Sequence, residues 1–146
     1  TTELLSAVCD LPENVHVVVF GEFMGDKYQQ DVATIAERIK GRVHFSGLLE
    51  QKEIYDLYLA SDIAVFPGTP SCLRQQAIAV GLPIIIGYNV ADLGINISIN
   101  GNAICLDENW TKDDLKKAIE TVCCDSAYAK NALELSRGEY KKYSYL

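Results

Sequence analysis

The stretch "DIAVFPGTPSCLRQQAIAVGLPIII", residues 62–86, decides the fold. An apolar run at 63–66 meets a Pro- and Gly-containing turn, and a helical pattern follows until Gly81 and Pro83 precede a second apolar run. Short β-branched runs bounded by turn residues are typical of buried strands, and Gly and Pro commonly end helices. Because strands joined through a helix run parallel, this stretch predicts two parallel strands with a helix packed on one face.

The same alternation extends to both ends of the chain. Besides the runs at 63–66 and 83–86, further strands are predicted by the apolar runs at 15–20, 42–45 and 102–106. Helices are predicted for 2–9, for 27–40 after Asp26 as N-cap and before Gly41, around 54–60, for 111–122 with a Thr111–Asp114 capping box, and for 126–136. The prediction is an α/β fold: a doubly wound, Rossmann-like parallel sheet with helices on both faces, in one domain over 1–146.

Composition narrows the classes of function. The 146 residues carry a net charge of −7, which disfavours binding to nucleic acid and to anionic lipid. The five cysteines are odd in number and lack zinc-ligand spacing, so we expect reduced thiols, no metal, no cofactor and a cytoplasmic location. Since the sequence begins at Thr1 without an initiator methionine, we expect it to be an internal piece of a longer protein.

Ligands of such sheets bind beyond the carboxyl ends of the strands, here the loops at 21–25, 46–49, 67–71 and 87–92. In the third loop we place Pro70 at the first helical position and Thr69 as N-cap. The amides of Ser71, Cys72 and Leu73 are then unpaired and, with the Thr69 and Ser71 hydroxyls, form an anion cradle. The alternative is that this loop is only a turn and a capped helix start. Gln76 lies about 7.5 Å farther along the helix axis than Ser71.

An ordered set of motifs resembles a known family. Gly21 ends the first strand, "VHFSG" occupies 43–47, "YLASD" occupies 58–62, and "PGTPSCLRQQAIAVGLP" occupies 67–83. In this order and spacing they resemble the C-terminal, donor-binding half of a GT-B glycosyltransferase, most similar to the family-4 (glycosyltransferase group 1) enzymes. The resemblance covers most of residues 3–122.

The resemblance implies a UDP- or GDP-sugar as the partner. It places Thr69, Ser71, Cys72 and Leu73 against the diphosphate, Gly47 and Leu48 against the base, and Gln76 at the ribose, with Gly21 at the same edge. It also implies a retaining transferase, in bacterial polysaccharide or glycoconjugate synthesis. The N-terminal acceptor domain and the family's basic Arg and Lys would precede Thr1, so we expect no transfer by this chain alone. Membrane contact would come only through that other half.

Two departures from the family weaken the implied site. The family carries two glutamates eight positions apart, whereas this sequence has Gln76 at the second position and no glutamate near the first. A neutral amide grips ribose hydroxyls less strongly than a carboxylate does. The alternatives are therefore a non-catalytic nucleotide-binding or scaffold domain, or a GT-B sugar-nucleotide epimerase. No residue is assigned to catalysis.

The remaining polar residues are interpreted structurally. His16 and His44 lie in strand patterns and are expected to be structural histidines. Arg74 is expected to point to solvent. Four aspartates are expected to be caps or turn residues: Asp26, Asp62, Asp92 and Asp107.

Overall fold

The structure, a computed structural model, describes residues 1–68, 71–87 and 103–124, together with 127, 128, 130, 131 and 134. The elements follow in the order α1 (Thr2–Cys9), β1 (Val17–Phe20), α2 (Asp26–Arg38), β2 (Val43–Gly47), α3 (Gln51–Ala60), β3 (Ala64–Phe66), α4 (Leu73–Ala79), β4 (Ile84–Ile86), β5 (Ala103–Cys105) and α5 (Lys112–Cys124). Strands and helices alternate from α1 to β4, as the hydrophobic pattern predicts.

All strand pairs in the described residues are parallel. β1 pairs with β2, with Val17 opposite Val43 and a register shift after Val19. β3, β4 and β5 form a second ladder in that order, with Ala64 opposite Ile84 and Ile84 opposite Ala103. No hydrogen-bonded ladder between described residues joins β1 to β3. The prediction of parallel strands is confirmed, and the sheet consists of two pieces.

Two hydrophobic cores cover the two faces of these strands. Helices α1, α2 and α5 supply the first core, where Leu5, Val32 and Leu115 are almost fully buried. Helices α3 and α4 supply the second, through Tyr58 and Ala77. Alternate residues of one strand enter opposite cores, as a pleated strand requires. Helices therefore pack on both faces, which is the doubly wound arrangement.

Burial differs sharply between strands. Ile84, Ile85 and Ile86 of β4 each have 0% of their surface exposed. In β1, by contrast, Val18 is 39% exposed although the strand reads Val-Val-Val-Phe. A strand that is apolar on both faces is normally covered on both faces. β4 meets that condition and β1 does not.

Helix ends agree with the sequence in some places and differ in others. Thr111 and Asp114 form the predicted capping box, since the Thr111 N–H donates to Asp114 Oδ2 at 2.9 Å and the Asp114 N–H donates to Thr111 Oγ1 at 3.4 Å. Asp26 is the first residue of α2, and the cap is Gly25 at φ +94°, a backbone angle that favours glycine. That helix ends at Arg38, before the expected stop at Gly41. In the helix predicted for 126–136, residues 127, 128, 130, 131 and 134 are helical.

An ion pair joins α1 to α5. Lys112 Nζ lies 2.8 Å from Asp10 Oδ2, which connects the end of α1 to the start of α5. The hydrogen bond with Lys112 lowers the pKa of Asp10, and the same contact raises the pKa of Lys112. None of the helices within the described residues has the length and apolarity needed to cross a membrane.

Candidate functional site at the carboxyl edge of the strands

The loops after β1 and β2 meet at the carboxyl edge of their ladder. The Gly21 N–H donates to the Gly47 carbonyl oxygen at 2.7 Å. Both glycines have positive φ, +105° at Gly21 and +66° at Gly47, so a side chain at either position would strain the backbone. Leu48 follows at once and is 71% exposed. The structure thus brings together Gly21, Gly47 and Leu48, three of the predicted site residues.

The loops after β3 and β4 are in closer contact still. The Gly87 N–H donates to the Phe66 carbonyl oxygen at 2.9 Å, which extends the ladder by one residue. A Cβ atom on Gly87 would lie 2.5 Å from the Pro67 carbonyl oxygen. Only glycine allows the backbone after β4 to approach the 67–68 turn so closely. Residues 88–92 of the fourth predicted loop lie outside the described residues.

The start of α4 corrects one prediction. The helix begins at Leu73, with Cys72 as its cap residue. The sequence predicts its first residue at Pro70, three positions earlier. The Leu73 N–H donates to Ser71 Oγ at 3.2 Å, so this amide is engaged within the turn. Serine hydroxyls compete for nearby amides in this way at helix starts. Thr69 and Pro70, the predicted cap and first helical residue, lie outside the described residues.

The amides of Ser71 and Cys72 remain the candidates for binding an anion. Among the described residues, neither N–H has a hydrogen-bond acceptor. The Cys72 side chain is exposed and that of Ser71 is half-buried. Of the three amides expected in the cradle, the structure therefore leaves two.

Gln76 is tied to the neighbouring helix. The Gln51 side-chain amide donates to Gln76 Oε1 at 3.2 Å, and Gln51 is the first residue of α3. The Tyr58 hydroxyl, from the same helix, donates to the Leu73 carbonyl oxygen at 3.2 Å. These two contacts hold the start of α4 against α3. They also place Gln76 beside the loop that carries Gly47 and Leu48.

The prediction that Arg74 points to solvent is wrong. Arg74 is 1% exposed, its guanidinium carbon lies 5.9 Å from the centre of the Phe66 ring, and its Nη2 donates to the Gly68 carbonyl oxygen at 3.0 Å. Burial lowers the pKa of this guanidinium. The side chain lies under the 67–68 turn because that turn supplies a carbonyl acceptor and β3 supplies an aromatic face.

Charge on this edge does not favour an anionic ligand. Glu22, Asp26 and Glu50 lie in or beside the first two loops, and each side chain is exposed. The described cation nearest in sequence to the 67–72 turn is the buried Arg74. Lys27 and Lys52, exposed in the first turns of α2 and α3, partly offset these acidic side chains. An anion bound at the 67–72 turn would therefore depend mainly on backbone amides and on the end of a short helix.

A hollow beside the carboxyl end of β5 was not predicted from the sequence. It follows β5, has a volume of about 490 Å³ and is open to solvent. Seven residues line it: Cys105, Leu106, Asp107, Glu108, Asn109, Trp110 and Asp114. The backbone N–H of Trp110 donates to the backbone carbonyl oxygen of Asp107 at 3.1 Å. This hydrogen bond agrees with the prediction that Asp107 lies in a turn. The acidic lining makes this hollow a poor site for a diphosphate.

The two histidines lie away from this edge. His16, just before β1, and His44 of β2 are both exposed, with nearly parallel rings whose centres are 5.9 Å apart. Two further side chains organise the edge. Tyr58 belongs to the "YLASD" motif but was not assigned to the site, and Gln51 carried no signal in the sequence. Each acts through a contact with a residue more than ten positions away.

Comparison with solved structures defines the class of fold. The fold is that of one half of the GT-B glycosyltransferases. The crystal structure of Anabaena Alr3699/HepE in complex with UDP-glucose superposes with a TM-score of 0.81 at 17% identity, covering 96% of this chain and 40% of that protein. Sucrose-phosphate synthase (tll1590) from Thermosynechococcus elongatus gives a TM-score of 0.76 at 16% identity, covering 97% and 37%. WaaG, a glycosyltransferase involved in lipopolysaccharide biosynthesis, gives 0.73 at 18%, covering 95% and 38%.

The chain belongs to the family of glycosyl transferases group 1, whose model matches residues 2–141. The resemblance read from the motifs is thereby confirmed. The chain spans about two fifths of the length of the solved proteins it matches. Comparison with curated protein sequences finds no match.

Proposed function

We propose that residues 1–146 are the C-terminal, donor-binding domain of a retaining glycosyltransferase that takes its sugar from a nucleotide diphosphate sugar. The observation that carries this proposal is the group 1 family match over residues 2–141. The matched proteins include one whose structures contain UDP-glucose or UDP. A UDP-sugar is therefore the first donor to test, and a GDP-sugar the second.

The candidate donor site lies where the loops after β1, β2 and β3 meet. The Ser71 and Cys72 amides face the diphosphate, with Leu73 beside them in the same turn. Thr69, which the family resemblance also assigns to the diphosphate, lies outside the described residues. Gly47 and Leu48 provide a surface for the base, and Gly21 holds that loop in place through its hydrogen bond to Gly47. Gln76 reaches the ribose from the position that its contact with Gln51 defines.

This site implies weak binding by the chain alone. The exposed acidic residues at the edge repel a diphosphate, and Gln76 offers an amide where a carboxylate would accept from two hydroxyls. We expect a dissociation constant in the millimolar range, which corresponds to about 4 kcal/mol. A second domain that binds the acceptor is required for transfer. We place the pathway in bacterial polysaccharide or glycoconjugate synthesis in the cytoplasm, with membrane contact through that other domain.

A titration with uridine and guanosine diphosphates, followed by amide NMR shifts, tests the site. We expect the amides of residues 71–76 and of Gly47 and Leu48 to move together along one binding curve. If saturating nucleotide shifts other surfaces and leaves 71–76 unmoved, the site is wrong. If neither nucleotide shifts any amide, this chain does not bind the donor. The result would then favour the alternative of a non-catalytic scaffold domain, with which the neutral Gln76 and the acidic edge agree.

The ribose contact has a matched pair of variants. Gln76→Glu supplies the carboxylate and should tighten uridine diphosphate roughly 5-fold, the difference of about 1 kcal/mol between a neutral and a charge-assisted hydrogen bond. Gln75→Glu adds the same charge at the adjacent exposed position and should weaken binding slightly or leave it unchanged. Equal effects of the two variants would exclude Gln76 from the ribose site.

A further inference from the structure

We propose that Arg74 is a positioning residue for the diphosphate of the nucleotide donor: its guanidinium holds the turn after β3 through the Gly68 carbonyl and places a positive charge beneath that turn. The inference rests on the donor site proposed above and assigns one more residue to it. Three observations carry it: the contacts of the side chain, its place at the carboxyl edge of the strands, and its burial.

Arg74 joins the two ends of the turn. Its Nη2 donates to the Gly68 carbonyl oxygen at 3.0 Å, and its backbone N–H donates to the Ser71 carbonyl oxygen at 3.1 Å. Gly68 comes two residues after the end of β3, and Ser71 comes two residues before the start of α4. One residue therefore contacts both the entry and the exit of the turn, and a displacement of its side chain would displace the entry.

The Arg74 guanidinium lies at the carboxyl edge of three neighbouring strands. Its central carbon is 5.9 Å from the centre of the Phe66 ring, and Phe66 is the last residue of β3. Burial lowers the pKa of this guanidinium, and Cys105, the last residue of β5, raises it, so the end of β5 is also within electrostatic reach. Strand β4 lies between β3 and β5. Because ligands of such sheets bind at this edge, the charge is on the ligand side of the sheet.

Burial distinguishes this charge from the others at the edge. Among the described residues, Arg74 is the only buried charged side chain, whereas Lys27 and Lys52 are exposed. An arginine stays protonated at neutral pH. Water and salt weaken the field of an exposed charge much more than that of a buried one. Of the described cations, Arg74 is therefore the one that solvent screens least.

A structural role alone does not require a charge at this position. Removing an ion from water is costly, and an apolar side chain of similar volume often replaces a buried ion without loss of stability. Ala77, on the same face of α4, is fully buried in the second core. The contacts with Phe66 and with the Gly68 carbonyl stabilise the guanidinium there. A diphosphate above the turn gives this charge a function that an apolar side chain could not supply.

The guanidinium acts on the donor without touching it. Only 1% of Arg74 is exposed, so the side chain acts through the turn that it holds and through its electric field. Such an effect depends on the charge of the ligand. It should strengthen the binding of uridine diphosphate and leave the binding of uridine, which carries no phosphate, almost unchanged.

Titrations of three proteins with uridine diphosphate and with uridine, followed by amide NMR shifts, test the inference. The proteins are the unaltered chain, Arg74→Met and Arg42→Met. We expect Arg74→Met to raise the dissociation constant of uridine diphosphate roughly 10-fold and that of uridine less than about 2-fold.

Arg42→Met is the matched control, because it removes the same charge and a comparable contact from the opposite edge of the strands. Arg42 lies just before β2, and its Nη1 donates to the carbonyl oxygens of Leu11 and Pro12, which precede β1, at 3.2 and 3.1 Å. This variant should change neither dissociation constant.

Two further measurements answer the question if Arg74→Met does not fold. Arg74→Lys keeps the charge and should bind uridine diphosphate within roughly 3-fold of the unaltered chain, although it loses the planar contacts of the guanidinium. In the unaltered chain, the ¹⁵N resonance of Arg74 Nε should shift as uridine diphosphate saturates the protein and stay in place as uridine does. An arginine with only a structural role would not distinguish the two ligands.

Several results would overturn this inference alone. They are equal weakening of both ligands by Arg74→Met, equal effects of Arg74→Met and Arg42→Met, a 10-fold or greater loss in Arg74→Lys, and an Arg74 Nε resonance that uridine diphosphate leaves unmoved. In each case the unaltered chain still binds uridine diphosphate, so the proposed donor site would stand. If the unaltered chain binds neither ligand, the donor site itself is wrong, and the role of Arg74 fails with it.

Discussion

Gly87 has no room for a side chain. Its α-carbon faces the Pro67 carbonyl oxygen, which a Cβ atom would approach to 2.5 Å. The obstacle is backbone, so it cannot rotate away as a flexible side chain would. The contact fixes how closely the ends of β3 and β4 approach at the carboxyl edge.

We therefore expect Gly87→Ala to lower the free energy of unfolding by about 1–3 kcal/mol, as overpacking does in well-packed sites. Gly68→Ala is the matched control, because a Cβ atom there meets nothing within 4 Å. Urea denaturation followed by circular dichroism measures both. A Gly87→Ala protein as stable as the Gly68→Ala protein would mean that the two turns are not in contact.

Tyr58 should make the free energy of unfolding fall as the pH rises above about 10. Burial raises the pKa of its hydroxyl to about 12, above the ~10 of an exposed tyrosine. The folded protein therefore keeps a proton that the unfolded chain loses. The contribution of Tyr58 is complete below pH 10 and is lost as the pH rises from 10 towards 12, with a slope of at most about 1.4 kcal/mol per pH unit.

Tyr58→Phe should flatten this decline in the free energy of unfolding, measured by urea denaturation between pH 9 and about pH 11. It should also lower stability at neutral pH by about 1 kcal/mol, since the hydrogen bond to Leu73 is lost. Tyr55→Phe, at a half-exposed position of the same helix, is the control. Identical slopes for the two variants would contradict the assignment to Tyr58.

At this scale the sequence predicts backbone requirements better than side-chain contacts. Gly21 and Gly47 could be placed at strand ends because glycine after an apolar run is a local signal. The burial of Arg74 could not be predicted, because it depends on a carbonyl six residues earlier and on the Phe66 ring. The later start of α4 depends on the Ser71 hydroxyl, which accepts an amide that the sequence left unpaired.

Helix α5 begins at a capping box that a local pattern predicted. Both the Thr111 N–H and the Thr111 hydroxyl donate to Asp114 Oδ2, at 2.9 and 2.8 Å. These bonds lower the pKa of the Asp114 carboxyl. Because α5 supplies Leu115, Ala118, Ile119 and Val122 to the first core, its start affects the whole molecule.

Thr111→Ala should reduce stability by about 1 kcal/mol, the usual effect of losing an N-cap side chain. Thr121→Ala is the control, because the Thr121 hydroxyl only donates to the Lys117 carbonyl within the helix at 2.8 Å. Thermal unfolding compares the two. Because alanine has the higher helix propensity, Thr121→Ala should not destabilise through propensity. If it destabilises as much as Thr111→Ala, loss of any threonine hydroxyl on this helix, rather than loss of the cap, explains the effect.

Single strands and helices could be predicted because each gives a hydrophobic pattern within one short segment. How the strands pair could not be predicted. Periodicity located the five strands and the helices between them, because each pattern lies within one short segment. The division of the sheet could not be predicted, because pairing between β1 and β3 depends on residues 40 or more positions apart and on what lies between them. The helix start at Asp26 differed by one residue because Gly25 adopts the positive φ of a cap.

The whole molecule carries a net charge of −7, and its described carboxyl edge adds exposed acidic residues where a ligand would approach. We expect no binding to a random DNA duplex at about 150 mM salt, because too few phosphates could be neutralised. Fluorescence anisotropy with a labelled duplex measures this. Micromolar binding that weakens steeply with added salt would contradict it and would reveal a basic surface.

The pairing of strands within two separate pieces has a consequence for the order of folding. Each piece joins strands that are near neighbours in the sequence, so both can form by closing short loops, which is fast. The contact of α1 with α5 is different, since Asp10 and Lys112 are 102 residues apart. Docking of these two helices is then the late, slow event that converts two independently formed halves into one cooperative unit. Until α5 left the ribosome, a nascent chain could form both pieces of the sheet but would leave the first core incomplete.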